Sequence, residues 1–144
     1  MSATLPLPPD VAPSDFPELT AEEPAGLVSA VRGGIPASRF DALKELVGVP
    51  TAELAEVVGI TPSTLSRRRK RGGFNKGESE RILRIARIAL RAVEVLDGPD
   101  NARKWLTEPA RALGGETPLQ FADTEPGARE VERLLIRLEH GVYS

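Results

Sequence analysis

The run from Thr51 to Lys70, TAELAEVVGITPSTLSRRRK, constrains the fold more than any other stretch of the chain. It reads as two short helices separated by a tight turn. Leu54, Ala55 and Val58 fall on one face of the first helix, where they can bury against a neighbour. Gly59 admits the positive φ that stops a helix abruptly, and Ile60 fills the corner. Thr61 is a good N-cap, and Pro62 follows at the first helical position, where its missing N–H is harmless. Leu65 anchors the second helix to the core. Thr61, Ser63, Ser66, Arg67 and Lys70 then face outward along a helix of about 15 Å, a length that fits a DNA major groove. Together these features describe a helix-turn-helix. In that reading these five residues, with Thr64 beside them, meet bases and sugar-phosphate edges, while Arg68, Arg69 and Arg71 hold the backbone. One position departs from the motif: three residues after Leu65 an apolar side chain is usual, and here it is Arg68, which predicts a shallower anchor.

The charge distribution agrees with a local anionic partner. Residues 51–91 carry ten basic and four acidic side chains, whereas 1–35 and 92–144 are each net −4, so the chain as a whole is only −2. Acidic flanks would repel phosphate and confine contact to the middle. With four Phe, one Trp and one Tyr, the core must come mainly from Leu, Ile, Val and Ala, as in small helical domains. The absence of cysteine excludes disulfides and thiolate metal sites and fits a reducing cytoplasm. The first ten residues have no basic stretch followed by an apolar one, so no signal peptide is expected. No segment approaches the roughly 20 apolar residues of a membrane span.

No convincing β-alternation appears, and the expected fold class is all-α. Residues 1–20, crowded with proline, are expected to be extended or disordered. A short helix follows from about Glu22 to Arg32, with Leu27, Val28 and Val31 on one face. The next carries the stripe Phe40, Leu43, Leu46 and Val47 and ends at Gly48. Gly72 to Gly77 form a turn, from which Phe74 docks on the core. The longest helix spans about Glu78 to Leu96, burying Ile82, Ile85, Ala86, Ala89, Val93 and Leu96. Arg81, Arg84, Arg87 and Arg91 make a stripe on another face, able to grip phosphates or an acidic partner or simply to be solvated, with Glu80 able to pair with Arg84. Further helices are expected from Asn101 to Thr107, from Thr117 to Phe121, and from the Thr124 cap to about His140. The last presents Val131, Leu134, Leu135 and Leu138 and is closed by Gly141. This gives a helix-turn-helix unit over 21–77 and a helical unit over 78–144.

Catalytic chemistry has little to work with. His140 is the sole histidine, beside Glu139 at a helix end, with neither a cysteine nor a second histidine to join it. Neither an enzyme, a metal site nor a cofactor is expected. Trp105 is expected as a core plug rather than an interface anchor, and Gly114-Gly115 as loop chemistry before the Thr117-Pro118 helix start.

Several short motifs follow in a fixed order: TLSRR at 64–68, ESERILR at 78–84, ARKWL at 102–106, ALGG at 112–115, TPL at 117–119, DTEPGAREV at 123–131 and GVY at 141–143. This succession resembles the Xre/MbcA/ParS group of bacterial antitoxins over about residues 36–144. The resemblance implies an N-terminal helix-turn-helix bundle that binds operator DNA, followed by a long helix and a small helical toxin-binding module. It implies a co-expressed RES-domain toxin that degrades NAD, repression of the chain's own operon, and a homodimer within a larger toxin–antitoxin complex. On this resemblance the final helix and tail, Arg133, Arg137, Glu139, His140, Gly141, Val142, Tyr143 and Ser144, are the expected toxin-binding residues. Two other readings stay open from the residues alone: a stand-alone regulator with a ligand-sensing second half, and an interaction adaptor whose basic helix meets an acidic protein.

Overall fold

The computed structural model describes residues 15–20 and 23–141. Eight α-helices succeed one another: α1 (Pro24–Gly33), α2 (Ser38–Val47), α3 (Thr51–Val57), α4 (Pro62–Arg71), α5 (Lys76–Val95), α6 (Pro99–Thr107), α7 (Pro118–Phe121) and α8 (Glu125–His140). Short 3₁₀ turns lie at Pro17–Leu19 and Arg111–Leu113. The described residues hold no strand, only an isolated antiparallel bridge between Pro36 and Gly73. The fold is all-α, as the sequence suggests.

Helix α5 is the axis. Its 20 residues span about 30 Å, and α1, α2, α6 and α8 all pack against it. One apolar core therefore runs through both halves of the chain. The boundary expected at residue 78 falls within the first turns of this shared helix. Leu83, Ile88 and Ala92 are buried beside Ile82, Ile85, Ala86 and Ala89, a broader face than the expected stripe, because neighbours cover the helix on several sides. Val93 and Leu96 are only partly buried. The helix begins at Lys76 rather than Glu78 because Asn75 caps it. Asn75 Oδ1 accepts the Glu78 N–H at 2.9 Å, and Glu78 Oε1 accepts the Asn75 N–H at 3.0 Å.

The flanking helices follow their apolar spacing. Phe40, Leu43, Leu46 and Val47 of α2 are all buried. On α1, Leu27 and Val31 are four apart and pack on the core, whereas Val28, expected with them, is 45% exposed. One residue of offset turns a side chain about a quarter of the way round the helix. Residues 1–14 lie outside the described residues. At 15–20 the chain is folded rather than extended: Phe16 is fully buried and Glu18 pairs with Arg39 of α2 at 3.0 Å. Phe16, with Leu19 packed on the core beside it and Glu18 paired to α2, ties the segment down.

The C-terminal corner is built from capped starts. Thr117 Oγ1 accepts the Gln120 N–H, and Thr124 Oγ1 accepts the Gly127 N–H, each at 3.1 Å. On α8, Val131 and Leu135 are fully buried against α5, with Leu134 and Leu138 beside them at the margin. Trp105 also packs at the margin of the core, partly exposed, rather than filling its centre.

Candidate nucleic-acid interface and C-terminal surface

The helix-turn-helix forms as its sequence dictates. The Val58 N–H reaches the Leu54 carbonyl, Gly59 takes φ +69°, and Ile60 closes the corner in the core. Thr61 Oγ1 then accepts the Thr64 N–H at 3.2 Å and opens α4. Leu65 is the one buried side chain of α4. Ser63, Ser66, Arg67 and Lys70 are exposed, so the polar face points outward. Thr64 is half-buried, its Oγ1 accepting from Thr61 Oγ1 at 3.0 Å and from Arg67 Nη2 at 3.1 Å.

Three of the cations assigned to the DNA backbone have partners inside the chain. Arg69 Nη2 lies 2.8 Å from Asp41 Oδ1, with its guanidinium carbon 5.6 Å from the Phe40 ring centroid. Arg71 Nη2 donates to the Gly73 carbonyl at 3.2 Å. Arg68 is held most firmly: Nε donates to Glu78 Oε1 at 2.7 Å and Nη2 to Oε2 at 3.1 Å. Arg68 therefore supplies, as an ion pair, a second anchor beside Leu65, the one buried side chain of α4. Burial pushes the Glu78 carboxyl up. The Arg68 hydrogen bonds, the Asn75 N–H and the charges of Arg68 and Arg81 outweigh it and hold the group below the ordinary glutamate value. The hydrogen bond to Glu78 raises Arg68 in turn.

The arginine stripe of α5 is likewise engaged within the molecule. Arg81 Nε donates to the Val58 carbonyl at 2.6 Å and Nη2 to the Gly59 carbonyl at 3.3 Å. Arg84 lies 3.4 Å from Glu125, Arg87 lies 3.2 Å from Glu132, and Arg91 bonds both Glu94 and Glu139. The acidic partner of the stripe is thus mainly α8. The expected Glu80–Arg84 pair is replaced by one to Glu125.

At the far end of α8, Arg133 Nη1 donates to Glu130 Oε1 at 2.7 Å, and Arg137 lies 3.7 Å from the other oxygen of that carboxylate. Both arginines are exposed, as is His140, and between them Ile136 stands 49% exposed. The N–H of Gly141 caps the helix on the Arg137 and Leu138 carbonyls. Val142, Tyr143 and Ser144 lie outside the described residues. The expected toxin-binding residues that are described, Arg133, Arg137, Glu139, His140 and Gly141, therefore all lie exposed along the C-terminal half of α8, Glu139 being paired there with Arg91. Among the described residues no group of three His, Cys, Asp or Glu side chains is placed to hold a metal ion. No described helix is long and apolar enough to cross a membrane.

Sequence reasoning missed Ile136 and the clamps made by Glu78, Ser79 and Arg81. Ser79 is fully buried, and its Oγ accepts the Ile35 N–H at 2.9 Å. The N-x-x-E pattern at 75–78 was a readable signal for the cap, whereas the contacts across α4, α3 and the α1–α2 link join residues distant in sequence.

Comparisons with known proteins cover both halves of the fold. Residues 26–87 match the family model of the antitoxin Xre-like helix-turn-helix domain. Residues 91–141 match that of the antitoxin Xre/MbcA/ParS C-terminal toxin-binding domain. The chain is 37% identical over 128 residues to an Antitoxin Xre of Yersinia enterocolitica, covering 88% of this chain and 86% of the relative. It is 35% identical over 113 residues to an Antitoxin Xre of Photorhabdus laumondii, covering 77% and 76%. Among solved structures it resembles a chain of the M. tuberculosis MbcT–MbcA toxin–antitoxin complex, with a TM-score of 0.59 and 23% identity over 75% of this chain and 96% of that one. At that identity the likeness speaks for the fold.

Proposed function

Because the chain belongs to the Xre/MbcA/ParS family of antitoxins, we propose that it binds and neutralises a cognate RES-domain, NAD-degrading toxin and represses its own operon. Operator contact falls to the exposed face of α4, with Ser63, Ser66 and Arg67 toward the bases and Lys70 toward the phosphates. One such helix reads a half-site, so the DNA-bound form is a symmetric homodimer on a near-palindromic operator. Toxin contact falls to the end of α8 and the residues after it. The observation that carries the reading is the arrangement itself. A capped, outward-facing α4 and an exposed α8 end project from one core organised on α5. The role assigns no reaction to this chain, and it is carried out in the cytoplasm, where operator and toxin meet.

The test is co-expression with the adjacently encoded protein, followed by co-purification and a band shift on the DNA upstream of the pair. Deleting Val142 to Ser144 is expected to weaken neutralisation while leaving the band shift intact. Arg67→Ala is expected to lower affinity for the preferred site by about 1–3 kcal/mol if it meets a guanine, and uniformly across sequences if it meets phosphate. Equal neutralisation by the shortened chain removes the tail from the mechanism. Failure to retain a neighbouring toxin removes the antitoxin assignment of that partner.

A further inference from the structure

We propose that Arg68 and Arg81 are positioning residues, through which the first turns of α5 set the pose of the helix-turn-helix, and that neither contacts DNA. The inference rests on the reading of α4 as the operator-binding helix. An arginine on such a helix would ordinarily be given to phosphate. Arg68, however, spends two donors on both oxygens of Glu78, a carboxylate only 6% exposed and fixed in place by the Asn75 N–H. Swinging Arg68 toward a phosphate would leave that buried carboxylate without its cation. Arg81 spends its Nε and Nη2 on the carbonyls of Val58 and Gly59, the orphan acceptors at the end of α3. One arginine thus holds the turn that enters α4, and the other holds the C-terminal half of α4.

The need for both follows from packing. Leu65 is the only buried residue of α4; the other ties to α2 and its start are the exposed Arg69–Asp41 pair and the Ala37 N–H on the Gly72 carbonyl beyond the last turn, which leave the helix able to rock about Leu65. Three fixed points, Arg81 on the turn, Leu65 and Arg68, define an orientation. Two of them issue from α5, which also carries α6 and α8. The exposed groups Ser63, Ser66, Arg67 and Lys70 are thus presented in a pose to which α5 supplies the two least exposed polar ties.

The decisive variant is Glu78→Gln in the full-length chain, assayed by band shift on the upstream DNA. Removing a negative charge from a DNA-binding unit should, by electrostatics alone, leave binding unchanged or tighten it. Positioning demands the opposite sign: a loss of about 5- to 100-fold, the range for a buried group stripped of its partner. Hydrogen exchange should show faster exchange of α4 amides, while co-purified toxin and helix content are retained. Arg68→Met should cause a similar loss with an unaltered salt dependence, whereas a phosphate contact would lower the log–log slope by about one. Arg81→Met should speed exchange at the α3–α4 turn. Binding by Glu78→Gln at or above the unsubstituted level overturns the inference, as does a reduced slope for Arg68→Met. If the unsubstituted chain shifts no DNA, the operator reading fails separately. The exchange experiment then decides alone, and unchanged α4 protection overturns positioning.

Discussion

A β-carbon built on Gly127 would lie 1.8 Å from the carbonyl oxygen of Phe121. Helices α7 and α8 meet there backbone against backbone, with Thr124 Oγ1 closing the corner on the Gly127 N–H. This contact sets the direction in which α8 leaves α7, and so where its exposed end stands.

Gly127→Ala is therefore expected to destabilise the chain by about 1–3 kcal/mol or more, because the obstruction is backbone and cannot rotate aside. Gly33 supplies the control. It closes α1 with nothing within 4 Å of a built β-carbon and without a positive φ, so Gly33→Ala should be neutral or slightly stabilising. Thermal unfolding followed by circular dichroism separates the two. Equal midpoints for both variants would mean that the α7–α8 corner relaxes freely.

Ser79→Ala removes the acceptor for the Ile35 N–H while leaving that N–H buried. An unsatisfied buried donor costs about 1–3 kcal/mol, far more than the lost volume of one hydroxyl. Urea unfolding should show a lower midpoint with an unchanged slope. A midpoint equal to the parent's would show that water takes the place of the hydroxyl.

The α5–α8 seam combines ion pairs and apolar packing, and magnitudes decide which dominates. Arg87 and Glu132 are half-exposed, a setting in which an ion pair contributes about 0–1 kcal/mol. Leu135 is fully buried, and its truncation costs about 2–5 kcal/mol. Arg87→Gln should barely move the unfolding midpoint, and Leu135→Ala should lower it by several degrees. A larger effect of Arg87→Gln would mean that the charge pairs act as a cooperative network.

What the sequence could and could not convey follows from which contacts are local. The stripe Phe40, Leu43, Leu46 and Val47, the Thr61-Pro62 start of α4 and the Thr124 cap are written within one or two turns, and each forms as read. Val28 was misplaced because a run of adjacent apolar residues does not say which of them faces the core. Phe16 was missed because proline-rich composition describes the segment but not the place that the packed helices offer one aromatic in the core. At the candidate interface, exposure of Ser63 and Arg67 was legible from helix geometry. The capture of Arg68 by Glu78, and of Arg84, Arg87 and Arg91 by α8, was not, since a cation looks alike in sequence whether its partner is phosphate or a carboxylate 45 residues away.

The Glu78–Arg68 pair also fixes the sign of a pH effect. Because the folded carboxyl sits below the ordinary value near 4.5, the unfolded chain binds its proton first as the pH falls. The pair's contribution is fully present at neutral pH, begins to fade below about pH 4.5, and is gone below the depressed folded value. A protonated Glu78 has the shape and neutrality of glutamine, so the parent chain and Glu78→Gln should converge in acid. Urea unfolding of both proteins from pH 7 down to pH 3 should show the parent more stable at neutral pH, with the gap narrowing through the acid range. A gap that stays constant to pH 3 would assign the difference to the shape of the side chain and not to its charge. A parent no more stable at pH 7 would mean that desolvation of the two groups cancels their attraction, leaving the pair to orient α4 without adding to the stability of the fold.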